Sequence, residues 1–338
     1  RRSMFHSHCR SHGLPLLYTN AVGGNDELVF DGQAYAFDAG GTLLASGLPF
    51  EEEILFVDFS PGSPPGLIPA FGVSPGGTEG SHPARALDPL ALEDSIHRAL
   101  ILGLRDYTRK CGFRTAVIGL SGGIDSALTA TLAAEALGPE NVWGIALPSR
   151  YSSESSRTDA ETLARNLGIH YEELSIEPSF TAALETLSPL FAGLPAGLAE
   201  ENIQARARGL LLMAVSNQFG HLLLSTGNKS EIAVGYCTLY GDMAGGLSVI
   251  SDLPKTLVYT LSRHLNRDRE IIPESTLTKA PSAELKPDQA DLDTLPPYDL
   301  LDAILEGHIE EGLGVEGLVA RGHPAEIVTR ISDESRVT

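Results

Sequence analysis

The chain has 338 residues, 24 Lys and Arg against 44 Asp and Glu, a net charge of −20 and 42% hydrophobic residues, enough for one large or two smaller cored domains. Such acidity argues against a protein that works on nucleic acid or an anionic membrane surface, because both need a basic face to release counterions. The excess is concentrated at the carboxyl end, where Glu284 to Thr338 holds 4 basic and 13 acidic residues. Cys9, Cys111 and Cys237 are odd in number and far apart, which fits neither a disulfide framework nor a zinc site with paired CxxC spacing. No apolar run approaches the roughly 20 residues of a membrane helix. The opening RRSMFHSHCRSHG has no apolar signal-peptide core and no initiator Met, so the reading is a soluble, cytoplasmic chain whose amino end is incomplete.

Residues 1–59 alternate in the β manner through LPLLYTN, ELVFDGQAYAFDAGGTLLASG and EEEILFVDF, with Gly-rich turns at VGGND and DAGG, and three to four strands are expected. The His-rich start reads as a polar helix face. Seven prolines and six glycines fall between Ser60 and Pro89, so 60–87 reads as a linker. A long α/β segment, 88–338, follows. Its first helix is expected to use Asp88 as N-cap, Pro89 at the first position and Gly112 as the stop, with Leu92, Ile96, Ala99, Leu100 and Leu104 on one face. TAVIGL is then a buried strand and DSALTATLAAEAL a helix closed by Gly138. The unit repeats as strand NVWGIAL, helix SSESSRTDAETLARNLG and strand HYEELSI, then helices over Pro178–Leu190 and Glu200–Phe219 and strand HLLLS. Strands alternating with helices at this period predict an α/β fold with a doubly wound parallel sheet. In such sheets ligands bind outside the carboxyl ends of the strands.

The loop after the first of these strands is Ser121-Gly122-Gly123-Ile124-Asp125-Ser126. Two glycines let the backbone approach an anion, the free N–H groups of the helix start point at it, and the hydroxyls of Ser121 and Ser126 add donors. Asp125 fits this cradle as a carboxylate holding Mg²⁺ that bridges to phosphate oxygens. A Gly-rich turn with Asp as N-cap is the plainer reading of the same residues. Strand, loop and helix in sequence favour the anion cradle. The loop itself has neither the GxxxxGK(S/T) form nor the GxGxxG form.

The SGGxDS form resembles the loop of the N-type ATP pyrophosphatases, which cut ATP between the α and β phosphates. Further segments are ENIQARARG, STGNKSEIAVGYCTLYGDMAGG, DLPKTLVY, PSAELKPDQ and DTLPPYDLLDAILEG. With GLSGGIDSALTA they resemble the NAD synthetases over about Asp88 to Arg330. TNAVGGNDELVFDG and its surroundings resemble the last strands of the nitrilase-like glutaminase domain found in glutamine-dependent members.

The resemblance implies an adenine-nucleotide alpha-hydrolase-like fold and a ligase. The enzyme adenylates deamido-NAD, amidates it to NAD and releases AMP and pyrophosphate, with ammonia drawn from glutamine in the complete enzyme. It implies Ser121, Gly122, Gly123, Ile124, Asp125, Ser126 and Thr226 for ATP. For deamido-NAD it implies Asn202, Arg208 in preference to Arg206, Glu231, Tyr236, Cys237, Thr238 and Leu239. Asp125 and Glu231 would hold Mg²⁺, and Asp125, Glu231, Lys255 and Asp242 form the candidate catalytic set. Lys229 is expected to act beside Glu231, Asp242 either to order the loop or to receive ammonium, and Cys237 to pack. In the family the glutaminase Glu, Lys and Cys lie upstream of the matched segment, so these residues are expected to use ammonia and not glutamine. Where the family has a basic, substrate-contacting segment after HPAEIVTRI, this sequence reads SDESRVT. Family members form homo-oligomers, and one is expected here. Other readings of the loop are a GMP synthetase, against which YGDMAGG and PSAELKPDQ speak, and an inactive ATP-binding fragment.

Overall fold

The computed structural model of the chain describes residues 1–55, 57, 69–72, 80–83, 88–287 and 289–335, and it divides into two compact units, Arg1–Tyr107 and Thr108–Thr338. The first unit opens with helix α1 (Arg2–His12), closed by Gly13 at φ 64°. Five short strands follow: β1 (Leu16–Tyr18), β2 (Val22–Asn25), β3 (Leu28–Asp31), β4 (Tyr35–Phe37) and β5 (Leu43–Ser46). They form an antiparallel β1-β4-β5 sheet and a β2-β3 hairpin. Phe5 and Cys9 of α1 pack on Tyr35 and Phe37 in a small core.

The structure departs from the sequence reading in three places. VGGN, expected to be a turn, is strand β2, and the turn is Asp26-Glu27 with Asp26 at φ 52°. The reason is packing: a Cβ on Gly24 would stand 3.2 Å from the Gly103 Cα, and the Gly24 N–H donates to Asp106 Oδ2 at 2.9 Å. Glycine therefore serves close backbone approach, not chain reversal. The stretch EEEILFVDF holds no strand among its described residues. Within the Pro/Gly-rich segment β6 (Pro69–Gly72) and β7 (Gly80–Pro83) pair antiparallel. The rest of 60–87 lies outside the described residues.

Helix α2 (Leu92–Lys110) begins four residues after the expected cap. Asp88 does not cap it; Glu93 and Asp94 put negative charge in its first turn, where the helix dipole favours it. Leu92, expected on the buried face, is exposed, whereas Leu104 is buried.

The second unit is built on β8 (Ala116–Gly119), α3 (Ile124–Leu137), β9 (Val142–Ala146), α4 (Glu154–Leu167) and β10 (His170–Glu173). Then come α5 (Glu177–Phe191), α6 (Leu198–Phe219), β11 (Leu222–Ser225), α7 (Lys229–Ala233) and β12 (Leu247–Ser248). It ends with α8 (Lys255–Leu265), α9 (Glu274–Thr278), α10 (Tyr298–Leu305), α11 (Val315–Ala320) and α12 (Ala325–Glu334). All five strands are parallel, in the order β10-β9-β8-β11-β12. The predicted α/β parallel sheet is present. The central strands β8 and β11 are almost wholly buried and apolar, as strands covered on both faces must be, while β10, reading HYEE, lies at an edge.

Helix α3 is Ala- and Thr-rich on every side and buried along its length, because sheet and neighbouring helices cover it all round. Val117, Ile145, Leu147, Ile176, Ala207 and Leu223 form the core between the sheet and α6. A second cluster, with Leu301, Ile304, Leu305, Leu318, Val328 and Ile331, holds the carboxyl-terminal helices together. Among the described residues no helix is long and apolar enough to cross a membrane.

Candidate active site

Strand β8 has β9 on one side and β11 on the other, so the direction of winding reverses at its carboxyl end and leaves a crevice there. The Ser121–Ser126 loop occupies that position. A Cβ on Gly122 would stand 2.2 Å from the Ser156 carbonyl oxygen, and its φ is 77°, so only glycine fits between the loop and the start of α4. Gly123 takes the N-cap position of α3 in an extended conformation. The serine hydroxyls hold the loop on itself: Ser121 Oγ lies 3.1 Å from Ser126 Oγ, which donates to the Gly123 carbonyl at 3.0 Å.

Asp125 turns toward β11 and the helices after it. Its Oδ1 accepts from Asn228 Nδ2 at 2.8 Å and its Oδ2 from Lys255 Nζ at 2.5 Å. The same ammonium donates to Glu231 Oε1 at 2.9 Å and sits 5.2 Å from the centre of the Tyr298 ring. Lys255 is almost fully buried, and the flanking carboxylates raise its pKa despite burial. Burial and the Asp125 charge push Glu231 up to about 7, against the pull of Lys255. Two carboxylates thus converge on the Lys255 ammonium, which fills the point between them, and their hard oxygens are of the kind that would suit a magnesium ion. Among the described residues no group of three or more His, Cys, Asp or Glu side chains is arranged to hold a metal.

A cavity of about 400 Å³ opens at the carboxyl ends of β8, β9 and β11. Ser121, Gly123, Ile124, Asp125 and Ser126 line it from the loop, and Thr226, Glu231 and Lys255 from the facing side. Arg208, Tyr236, Cys237 and Asp242 add a further wall. Arg208 Nε donates to the Leu147 carbonyl at 3.0 Å; burial lowers its pKa, and the charges of Glu284 and Asp242 oppose that. Arg206, two residues away, is exposed and donates to the Leu239 carbonyl.

The family model for NAD synthase matches residues 96–338. The chain belongs to the NAD synthase family. It is 48% identical over 331 residues to a glutamine-dependent NAD(+) synthetase of Synechocystis sp., covering 98% of this chain and 57% of that protein. It is also 48% identical over 340 residues to one of Thermotoga maritima, covering 95% and 59%. The chain therefore spans somewhat over half the length of these curated relatives. Among solved structures, a glutamine-dependent NAD+ synthetase from Acinetobacter baumannii in complex with ADP matches with a TM-score of 0.76 and 36% identity, over 98% of this chain and 58% of that one. An NMN synthetase from Francisella tularensis matches with a TM-score of 0.62 and 29% identity, over 73% and 94%.

Not every residue singled out in this NAD synthase-family sequence reaches the cavity. Gly122 lies under the loop against α4. Asn202 Oδ1 accepts from Thr238 Oγ1 at 2.9 Å, and the Thr238 N–H donates to Asp242 Oδ1 at 2.7 Å, so these residues brace the 237–242 loop from behind. Leu239 is exposed. Lys229 pairs with Asp252 and Glu310 outside the cavity lining.

Sequence reasoning missed Asn228, fully buried, which caps α7 by accepting from the Glu231 N–H at 3.0 Å while holding Asp125. Its signal was the N-x-x-E spacing before a short helix. It also missed Asp291, which accepts from Tyr236 and Tyr298; burial raises both phenols, and the Asp291 charge adds to it. Nor did it find Glu284, which accepts from the Ser153 N–H and from the hydroxyls of Ser153 and Ser156 at the start of α4.

Proposed function

We propose that these residues carry out the ATP-dependent amidation of deamido-NAD. The convergence of Asp125, Glu231 and Lys255 on one charged position beside a glycine-bearing helix start carries this reading, together with family membership. The nicotinate carboxylate resists ammonia because its charge and resonance make it a poor electrophile. Its oxygen attacks the α-phosphorus of ATP, the bond to the bridging oxygen breaks, and pyrophosphate leaves. Ammonia then attacks the acyl carbon, the bond to AMP breaks, and one proton is given up as the amide forms. The backbone N–H groups of 121–126 receive the departing phosphates, with Thr226 across the cavity. Asp125 and Glu231 are the residues to hold Mg²⁺, which when bound neutralises phosphate charge. Lys255 supplies fixed positive charge between the two carboxylates. Arg208, Tyr236 and Cys237 line the deamido-NAD side, Thr238, Leu239 and Asp242 belong to the loop beside it, and Asn202 of α6 braces that loop through Thr238. The Asp242 contact with the Thr238 N–H supports loop ordering as its role.

Residues 1–59 we read as the end of a nitrilase-like glutaminase domain, 60–87 as a linker and 88–338 as the synthetase domain. Ammonia is the nucleophile at the acyl carbon, and NAD formation with ammonium chloride as the nitrogen source tests this; no NAD formed from saturating ammonium, ATP and deamido-NAD would refute it.

The deciding experiment is pyrophosphate release from ATP. Release is expected to require deamido-NAD and to fall at least ~100-fold in Asp125→Asn, which keeps the shape and removes the charge. Release dependent on xanthosine monophosphate would establish a GMP synthetase instead. ATP binding without any release would establish a non-catalytic nucleotide-binding chain.

A further inference from the structure

Glu231 and Lys255 sit at the starts of two helices that are held differently. Asn228 caps the five-residue α7 through the Glu231 N–H, whereas α8 has Pro254 at its N-cap, with no side-chain hydrogen bond there. The first N–H groups of a helix have no partner inside it. In α8 they are taken up from outside. The Lys255 N–H donates to Ser230 Oγ at 2.8 Å, and that hydroxyl donates to Asp302 Oδ1 at 2.5 Å. The Thr256 N–H donates to Asp302 Oδ2 at 2.8 Å. A single carboxylate, using both oxygens, thus joins the residue before Glu231 to the residue after Lys255.

Asp302 reaches this position from α10, whose neighbouring side chains Leu301, Ile304 and Leu305 are buried in the carboxyl-terminal apolar cluster. Asp302 itself is 8% exposed. A buried carboxylate is a poor way to gain stability, since an apolar residue of similar size often packs as well or better. It is a good way to fix geometry, because an acceptor with two oxygens at a helix start defines both distance and direction.

We propose that Asp302 is a positioning residue. Through Ser230 and Thr256 it sets the spacing of α7 and α8, and so places the Lys255 ammonium within reach of both Asp125 and Glu231. The identity of the reaction it serves rests on the function proposed above; the spacing does not.

The test uses the full chain with Asp302→Ala, Asp302→Asn, Ser230→Ala and the double variant Ser230→Ala/Asp302→Ala. Ile304→Val, a trim of the same helix facing the apolar cluster, is the comparator for lost stability. Melting temperature, MgATP affinity, and kcat and KM for MgATP are measured for each. Misplacement of charged groups on this scale is expected to lower kcat/KM about 100-fold in Asp302→Ala and to weaken MgATP binding, while Ile304→Val stays near wild type. Asp302→Asn recovers part of the loss, because its amide oxygen still accepts from the Thr256 N–H. Ser230→Ala shows a partial loss that adds little to that of Asp302→Ala, since both break one relay. Effects of Asp302→Ala no larger than those of Ile304→Val, or strict additivity with Ser230→Ala, would overturn the proposal. Should Asp302→Ala fail to fold, Asp302→Asn and Ser230→Ala decide by the same comparison. If the wild type binds MgATP but makes no NAD, the reaction assignment fails, and the binding constants alone judge Asp302.

Discussion

Replacing Lys255 with methionine removes the one cation between Asp125 and Glu231 and keeps most of the side-chain volume. The side chains of Lys255, Asp125 and Glu231 are 2, 18 and 17% exposed, so little solvent is at hand to compensate. Breaking a buried ion pair by removing one partner costs about 3–5 kcal/mol. The loss depends on pH. Glu231 already has its pKa raised to about 7 by burial and Asp125, and without Lys255 it rises further. A carboxyl whose folded pKa lies above its unfolded value favours the folded state when protonated. That contribution is fully present below the ordinary carboxylate range and is lost as pH rises through the folded value. The variant, with the higher folded pKa, therefore gains more from protonation than the wild type does. Its deficit should be ~1–2 kcal/mol smaller at pH 5.5 than at pH 8, one pKa unit being worth ~1.4 kcal/mol. The single tryptophan, Trp143, lies in β9 and stacks on His170 at 4.3 Å, so its fluorescence reports urea unfolding of the sheet. Comparing variant with wild type at each pH cancels any effect of the histidine. A deficit below ~1 kcal/mol, as for an exposed pair, or one equal at both pH values, would refute the reasoning.

Two other substitutions probe the walls of the cavity. In Gly122→Ala the new Cβ meets the Ser156 carbonyl at 2.2 Å in a left-handed backbone, so the loop must part from α4; pyrophosphate release is expected to fall at least ~100-fold, with a lower melting temperature, and wild-type kinetics would contradict the steric account. In Glu284→Ala three donors at the start of α4 lose their acceptor; hydrogen exchange should quicken at 153–156 and the KM for ATP rise several-fold, whereas unchanged exchange there would show that Glu284 does not hold the start of α4.

The parts of this protein legible in its sequence were those encoded over short range. A buried apolar strand, two glycines and an Ala-rich helix identify the strand–loop–helix at 116–137, because the turn and the helix start are local events. The end of the helix SSESSRTDAETLARNLG at Gly168 is of the same kind: Gly168 takes φ 73° and closes α4. Local patterns misled where distant packing supplied the reason, as at VGGN, where Gly23 approaches Asp106 and Gly24 approaches Gly103.

The charged centre was half legible. Asp125, Glu231 and Lys255 could each be named, but not that a single ammonium joins the two carboxylates. Asp125 meets Asn228 across 103 residues and Lys255 across 130, and no periodicity or spacing encodes such distances. The two arginines of α6 show the same division. Their separation by two positions determines that they point in different directions. Only the packing of α6 against the sheet decides that Arg208 faces the cavity while Arg206 stays outside, since the direction of a side chain follows from its helix and its burial from what that helix meets.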